Sequence, residues 1–237
     1  MIYIYAVKIR DTIEDSIMET FWSLVSSERK ERISRFRNLR DKQRGILAEV
    51  LLRYALYKHY NLNEGIIFVY NQYGKPFLKG NEDIFFNMSH SGDWIFCGVG
   101  SVSLGVDVEQ IAKADMRIAR RFFSETEYSY LIGLDADQQN SEFYKIWTLK
   151  ESYIKEEGMG LSIPLNSFSF TLAQNKILLY EQNCIRKDLQ FWTGMIDKKH
   201  CYAVCINGGK KQIPIDTIQR VTTQELQAFG EIVTTYQ

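Results

Sequence analysis

No charge of either sign predominates in this 237-residue chain: 29 lysines and arginines meet 29 aspartates and glutamates, leaving a formal net charge of zero. A molecule so balanced is not built as a general nucleic-acid or membrane-surface binder, so recognition of an anion has to come from a local cluster. Cysteine is scarce too, and four in a chain of this size do not make a disulfide scaffold. Cys201 and Cys205 in "HCYAVCI" share one face if that segment is a strand. Their spacing is not Cys-x-x-Cys and His200 is merely adjacent, so they read first as reduced core thiols and second as part of a metal site. Long apolar runs are missing as well. The start, "MIYIYAVKIRD", meets Lys8 and Arg10 before a signal-peptide core can form. "WIFCGVGSVSLGV" is too short, and too rich in glycine and serine, to span a bilayer. There is no low-complexity tract and no long linker. These absences point to a soluble, cytoplasmic protein.

What is present is enough for a packed interior, with 45% hydrophobic and 14% aromatic residues. The pattern predicts a strand over Tyr3–Ile9 and an amphipathic helix from about Asp15 to Val25. In "RDKQRGILAEVLLRYALYKHY", Ile46, Leu47, Val50, Leu51, Tyr54 and Ala55 form a helical stripe. "IIFVY", the turn-like "YGKPFL" and a strand pair around an "HSGD" turn follow. A second half opens with a strand at Leu104. Helices are predicted near Met116–Phe123, Glu125–Leu131 and Ser141–Glu157, the last capped by Gly158. Strands are predicted at Ser167–Leu172, Ile177–Tyr180, Leu189–Ile196 and Tyr202–Ile206. Each half thus runs strand, helices, strands, a mixed α/β (α+β) plan divided at 1–103 and 104–237. The polar tail from Gly208 carries no clear pattern.

Four groups of residues can carry chemistry. In "SLGVDVEQI", Asp107 and Glu109 lie on one strand face, their stems ~7 Å apart, with Val106 and Val108 on the other. Such a pair is either an exposed polar face or a hard-cation site, since Mg²⁺ takes a few carboxylates plus substrate phosphates. In "IWTLKESYIKEEGMGL", Glu151 and Lys155 share a helix face with Trp147 one turn earlier, which is either a stabilising ion pair or a functional edge. From Arg29 to Arg44 the chain carries Arg29, Lys30, Arg32, Arg35, Arg37, Arg40, Lys42 and Arg44 against Glu28, Glu31 and Asp41. Guanidinium groups suit phosphates. Neutral overall charge and the lack of interleaved aromatics favour a polyphosphate small molecule over nucleic acid, and a solvated helix face stays open. Finally, "FFNMSHSGDW" sets Ser89 and His90 at a strand-to-turn junction, with Lys75 on a tight turn before it. His90 is either a turn histidine or a phosphate donor, and Ser89 lacks the Gly-x-Ser-x-Gly context of a hydrolase nucleophile.

Taken together, "GVDVEQ" and "WTLKESYIKEEGMGL", preceded by "YGKPFL" and "FFNMSHSGDW", resemble the 4′-phosphopantetheinyl transferases. The resemblance is to the surfactin-synthetase-activating (Sfp) type and its relatives serving gramicidin S synthetase, and extends over roughly residues 1–206. It implies two similar α/β subdomains in a pseudo-twofold arrangement with the active site at their interface. It implies transfer of the phosphopantetheine arm of coenzyme A to a serine of an apo carrier protein, a peptidyl carrier first of all, with release of adenosine 3′,5′-bisphosphate. By motif match, Asp107, Glu109 and Glu151 would bind Mg²⁺ and Lys155 would steady the departing phosphate. Arg29, Arg32, Arg44, Lys75, Ser89, His90 and Lys155 would meet coenzyme A. Glu151, directly or through a metal-bound water, would take the serine proton. Positions 29 and 32 carry arginine where relatives often have lysine. The segment "IAKADMRIARRFFSETEY" would dock the carrier, some of Phe122 and Phe123 being needed for the chain's own core. A monomer is expected, because both halves lie in one chain. The rival readings are a metal-dependent nuclease or other phosphotransferase using the same acids, and a coenzyme A-binding module without turnover.

Overall fold

The structure is a computed structural model in which residues 1–9, 13–173, 176–209, 211–215 and 217–235 are described. The first half runs β1 (Ile2–Lys8), α1 (Asp15–Leu24), α2 (Ser27–Ser34), α3 (Leu39–Tyr60), β2 (Phe68–Tyr70), β3 (Pro76–Leu78), β4 (Phe85–Ser91) and β5 (Trp94–Gly100). The second runs β6 (Leu104–Gln110), α4 (Met116–Phe122), α5 (Glu125–Ile132), α6 (Ala136–Glu157), β7 (Phe168–Ala173), β8 (Lys176–Glu181), β9 (Cys184–Ile185), β10 (Leu189–Asp197) and β11 (His200–Asn207). Two short elements end the chain, β12 (Gln219–Val221) and α7 (Thr223–Thr235).

Each half sets one 22-residue helix, α3 or α6, on a small sheet. The sheets have strand orders β12-β1-β5-β4 and β10-β11-β6, antiparallel apart from the parallel β12–β1 pair. Strand alternation explains the layering. In β1, Tyr5 and Val7 enter a core with Leu47, Val50 and Leu51 of α3. Ile2, Ile4 and Ala6 turn the other way, onto Phe96, Leu104, Val106, Val108, Val204 and Ile206. The two sheets therefore pack face to face between the long helices. The far side of β11, at Ala203 and Cys205, meets Leu149 and Tyr153 of α6. Cys201 and Cys205 are both buried thiols.

Several boundaries differ from the sequence reading. The "HSGD" turn is shorter: His90 and Ser91 stay in β4, paired with Ile95 and Trp94, and Gly92 takes the left-handed φ of 55°. Helix α6 begins five residues early, because its polar first turn carries no apolar period. The division at 103/104 does not hold for the tail, since β12 pairs with β1 and α7 adds Leu226, Phe229 and Val233 to the first core. Gly158 does cap α6, with φ 71°.

Candidate active site at the junction of the two halves

The site exists because one glycine lets a strand lie on a helix backbone. A Cβ at Gly105 would stand 2.0 Å from the Ser152 carbonyl oxygen and 2.5 Å from the Glu156 nitrogen. That close approach faces the Gly105–Asp107–Glu109 side of β6 toward the α6 turn carrying Glu151 and Lys155. Lys155 Nζ donates to Asp107 Oδ1 at 2.6 Å, to Ser89 Oγ at 3.0 Å and to the Val106 carbonyl at 3.3 Å. Ser89 in turn donates to Asp107 Oδ1 at 2.8 Å. Lys155 thus joins α6, β6 and β4 at one carboxylate. Trp147, one turn earlier, packs instead on Phe122, Phe123 and Phe143.

The second stitch is a row of β4 side chains along β6. Successive amides of a strand point to opposite sides, so one set serves β11 and the other needs acceptors elsewhere. Asn87 Oδ1 accepts from Val106 N at 3.0 Å, Ser89 Oγ from Val108 N at 3.4 Å, and Ser91 Oγ from Gln110 N at 3.1 Å. Ser91 also donates to Glu109 Oε2 at 2.6 Å. The sequence reading singled out Ser89 but not Asn87 or Ser91. The signal was available: the three share one strand face at period two, as Asp107 and Glu109 do.

Burial raises the pKa of all three carboxylates, and the charge of Asp107 adds to the rise of the other two. Burial, and then the charge of Asp107, push Glu109 up to about 7, with the Ser91 bond acting in the opposite direction. Burial and then Asp107 raise Glu151. Burial raises Asp107 against the opposing pull of Lys155 and Ser89. Asp107 Oδ2 is buried and has no hydrogen-bond partner. A carboxylate raised in the folded state contributes stability that is full at low pH and lost as pH climbs through its folded value. In the absence of divalent cations, the melting temperature is therefore expected to fall from about pH 4.5, the ordinary value for a glutamate, and to level off above about pH 7, the folded value of Glu109. A flat profile in calorimetry would contradict this electrostatic description.

Positive charge lies beside the acids. His90 is solvent-accessible; partial desolvation, and then the charges of Arg44, Lys155 and Arg29, hold its pKa below the ordinary value. Arg44 donates to the Gly92 carbonyl at 2.7 Å and pairs with Asp41, while its buried Nε has no partner. Arg29 points toward buried Glu49, 3.7 Å away, and Glu49 also accepts from the Ser26 amide and hydroxyl at the start of α2 and from Arg53. Arg32, one turn on, is exposed. Lys75 is placed differently. Its ammonium donates to the Glu156 carbonyl at 2.6 Å, and Asn71 of the same turn donates to the Gly158 carbonyl at 2.8 Å. The "YGKP" turn therefore clamps the C-terminal end of α6, where a cation suits the helix dipole. The structure brings together Ser89, His90, Asp107, Glu109, Glu151, Lys155, Arg29 and Arg44, and ties the Lys75 ammonium to the helix end.

An acidic cluster facing cations at the junction of two like-built halves can meet a hard cation and a phosphate-bearing molecule together. Residues 103–205 match the family model described as the 4′-phosphopantetheinyl transferase superfamily, and residues 14–100 match that of the 4′-phosphopantetheinyl transferase N-terminal region. The chain is 38% identical over 203 residues to the 4′-phosphopantetheinyl transferase Sfp of Bacillus subtilis strain 168, covering 85% of this chain and 91% of that protein. It is 40% identical over 184 residues to the 4′-phosphopantetheinyl transferase gsp of Aneurinibacillus migulanus, covering 77% of each. To the 4′-phosphopantetheinyl transferase psf-1 of Bacillus pumilus it is 36% identical over 194 residues, 79% of this chain and 81% of that one. The chain belongs to the 4′-phosphopantetheinyl transferases. No helix among the described residues is long and apolar enough to cross a membrane.

Proposed function

We propose that the protein moves the phosphopantetheine arm of coenzyme A to the serine of an apo peptidyl carrier domain, using Mg²⁺ held by Asp107, Glu109 and Glu151. The observation that carries the metal reading is the buried, unpartnered Oδ2 of Asp107 beside two further carboxylates of raised pKa. Among the described residues no three such ligands are drawn together closely enough to close around an ion. In this arrangement the three carboxylates would hold Mg²⁺ partly through its waters, with substrate phosphate completing the shell. When bound, the ion would supply charge that offsets the phosphates of coenzyme A and of the departing bisphosphate.

The remaining roles belong to side chains. Lys155, anchored on Asp107, offers its ammonium to the departing phosphate. Arg29, Arg32, Arg44 and His90 supply donors for coenzyme A; Ser89, expected among them, instead spends its one hydroxyl proton on Asp107 and steadies that carboxylate, and the Lys75 turn supports the end of α6 on which this geometry depends. Glu151, its pKa raised by burial, takes the proton of the attacking serine.

The carrier's place is α4. Arg117, Ile118, Arg120 and Arg121 are exposed there, suiting an acidic partner helix with an apolar face. Phe123 is withdrawn into the core against Phe143 and Trp147, and Phe122 packs beside it. Mass spectrometry of a purified apo carrier domain incubated with coenzyme A and Mg²⁺ tests the whole reading. One added phosphopantetheine arm is expected, and no gain with several peptidyl carriers would overturn it. The double variant Arg120→Glu, Arg121→Glu should lower kcat/KM for the carrier about tenfold or more while coenzyme A binding stays unchanged. Equal rates at limiting carrier would remove α4 from the interface.

A further inference from the structure

We propose that Ser91 is a positioning residue for Glu109, holding that carboxylate in the orientation from which it serves the divalent cation; this rests on the metal reading above. Lys155 steadies Asp107 directly, but among the described residues no cation pairs with Glu109. The side-chain hydrogen bond given to Glu109 comes from Ser91, at 2.6 Å. Its direction is not free. The Gln110 amide can only donate, and it reaches Ser91 Oγ at 3.1 Å, so the serine oxygen is the acceptor there. The single hydroxyl proton is left for Glu109 Oε2, and Oε1 is left for another partner.

The hydroxyl therefore ties the Glu109 carboxylate to a backbone amide of the same strand, through a residue from the opposite half of the molecule. Two residues earlier the same device recurs: Ser89 accepts from Val108 N and donates to Asp107. The repeat follows from strand period, since Ser89 and Ser91 face β6 just as Asp107 and Glu109 face α6. It also couples the halves, because any slip of β4 along β6 would detach both serines from both acids at once. Groups that orient metal-binding carboxylates in this way commonly change metal affinity about ten- to a hundredfold when removed.

The test is Mn²⁺ binding, followed by electron paramagnetic resonance with coenzyme A present and carrier absent, so that no turnover occurs. Ser91→Ala should raise the Mn²⁺ Kd about tenfold, and Ser91→Thr, which keeps the hydroxyl, should restore it. A purely structural stitch would instead lower the melting temperature of Ser91→Ala and leave the Mn²⁺ Kd within about twofold of the parent, and that result overturns the proposal. If the unaltered protein fails to bind Mn²⁺, the metal reading itself falls and takes this inference with it. The two failures are thereby distinguishable.

Discussion

Asp107→Asn is expected to lower phosphopantetheine transfer by about a thousandfold while leaving the metal-free protein as stable as the parent or more so. The two halves of that expectation come from the same side chain. Asp107 is buried, and burial is the first cause raising its pKa, so its charge is costly in the fold without a cation at hand. Its charge also raises Glu109 and Glu151. An amide in its place keeps the shape and can still accept from Ser89, but relieves both repulsions. What it cannot do is anchor the Lys155 ammonium at 2.6 Å with a full charge, or present an anionic Oδ2 to a metal ion. Sites that gather like charges trade stability for chemistry, and neutralising them often reverses the trade. The measurement pairs single-turnover kinetics at saturating Mg²⁺ with thermal unfolding in chelator. A variant retaining more than about a tenth of the parent rate would remove Asp107 from the chemistry. A variant that loses activity because it is unfolded would refute the electrostatic account.

The acids were legible in the sequence because both periodicities involved are local. Asp107 and Glu109 alternate with core valines, and Glu151 and Lys155 stand one helical turn apart, so their faces could be assigned without knowing the partner element. What joins these faces is tertiary and left no local mark. Lys75 sits on a tight turn that carries no local sign of the partner its ammonium takes. Only the arrival of the α6 C-terminus beside it gives its ammonium a carbonyl to bind. Arg29 likewise looked like one of eight cations in a run, and the buried Glu49 that receives it lies on the next helix. The tail shows the same limit from another side. In α7, Leu226, Phe229 and Val233 do fall on one helical stripe, but Gly230 interrupts the propensity there. That glycine lies against α1, where a Cβ would stand 2.8 Å from Thr20 Cγ2, a reason no window of sequence contains. β12 has three residues, and acquires its identity from the exposed edge of β1.

Gly105→Ala is the second variant with a large expected effect, and it separates the scaffold from the chemistry. The added methyl would lie 2.0 Å from the Ser152 carbonyl oxygen and 2.5 Å from the Glu156 nitrogen, both backbone atoms inside a regular helix. No side-chain rotation can relieve such a contact, so β6 and α6 must separate. β6 is pinned on its other side by Leu104, Val106 and Val108 in the core between the sheets. α6 is held from behind by Lys150, whose buried ammonium donates to the Leu165 and Phe168 carbonyls and pairs with Glu127 at 2.8 Å. With neither element free to retreat, overpacking should cost about 3 kcal/mol or more, read as a lower midpoint in urea unfolding. Whatever fraction remains folded should still be impaired, because any separation of β6 from α6 lengthens the 2.6 Å contact between Lys155 and Asp107. Gly98→Ala provides the comparison. Its methyl would meet side-chain atoms, Leu104 Cδ1 at 2.5 Å and Val106 Cγ1 at 2.9 Å, in the core between the sheets. It should destabilise the fold while sparing the rate per folded molecule. If Gly105→Ala and Gly98→Ala lose activity only in proportion to their unfolded fractions, the contact of β6 with the α6 backbone supports the fold alone. If Gly105→Ala loses about tenfold more rate per folded molecule than Gly98→Ala, the glycine before Asp107 is what sets the distance between the acids and Lys155.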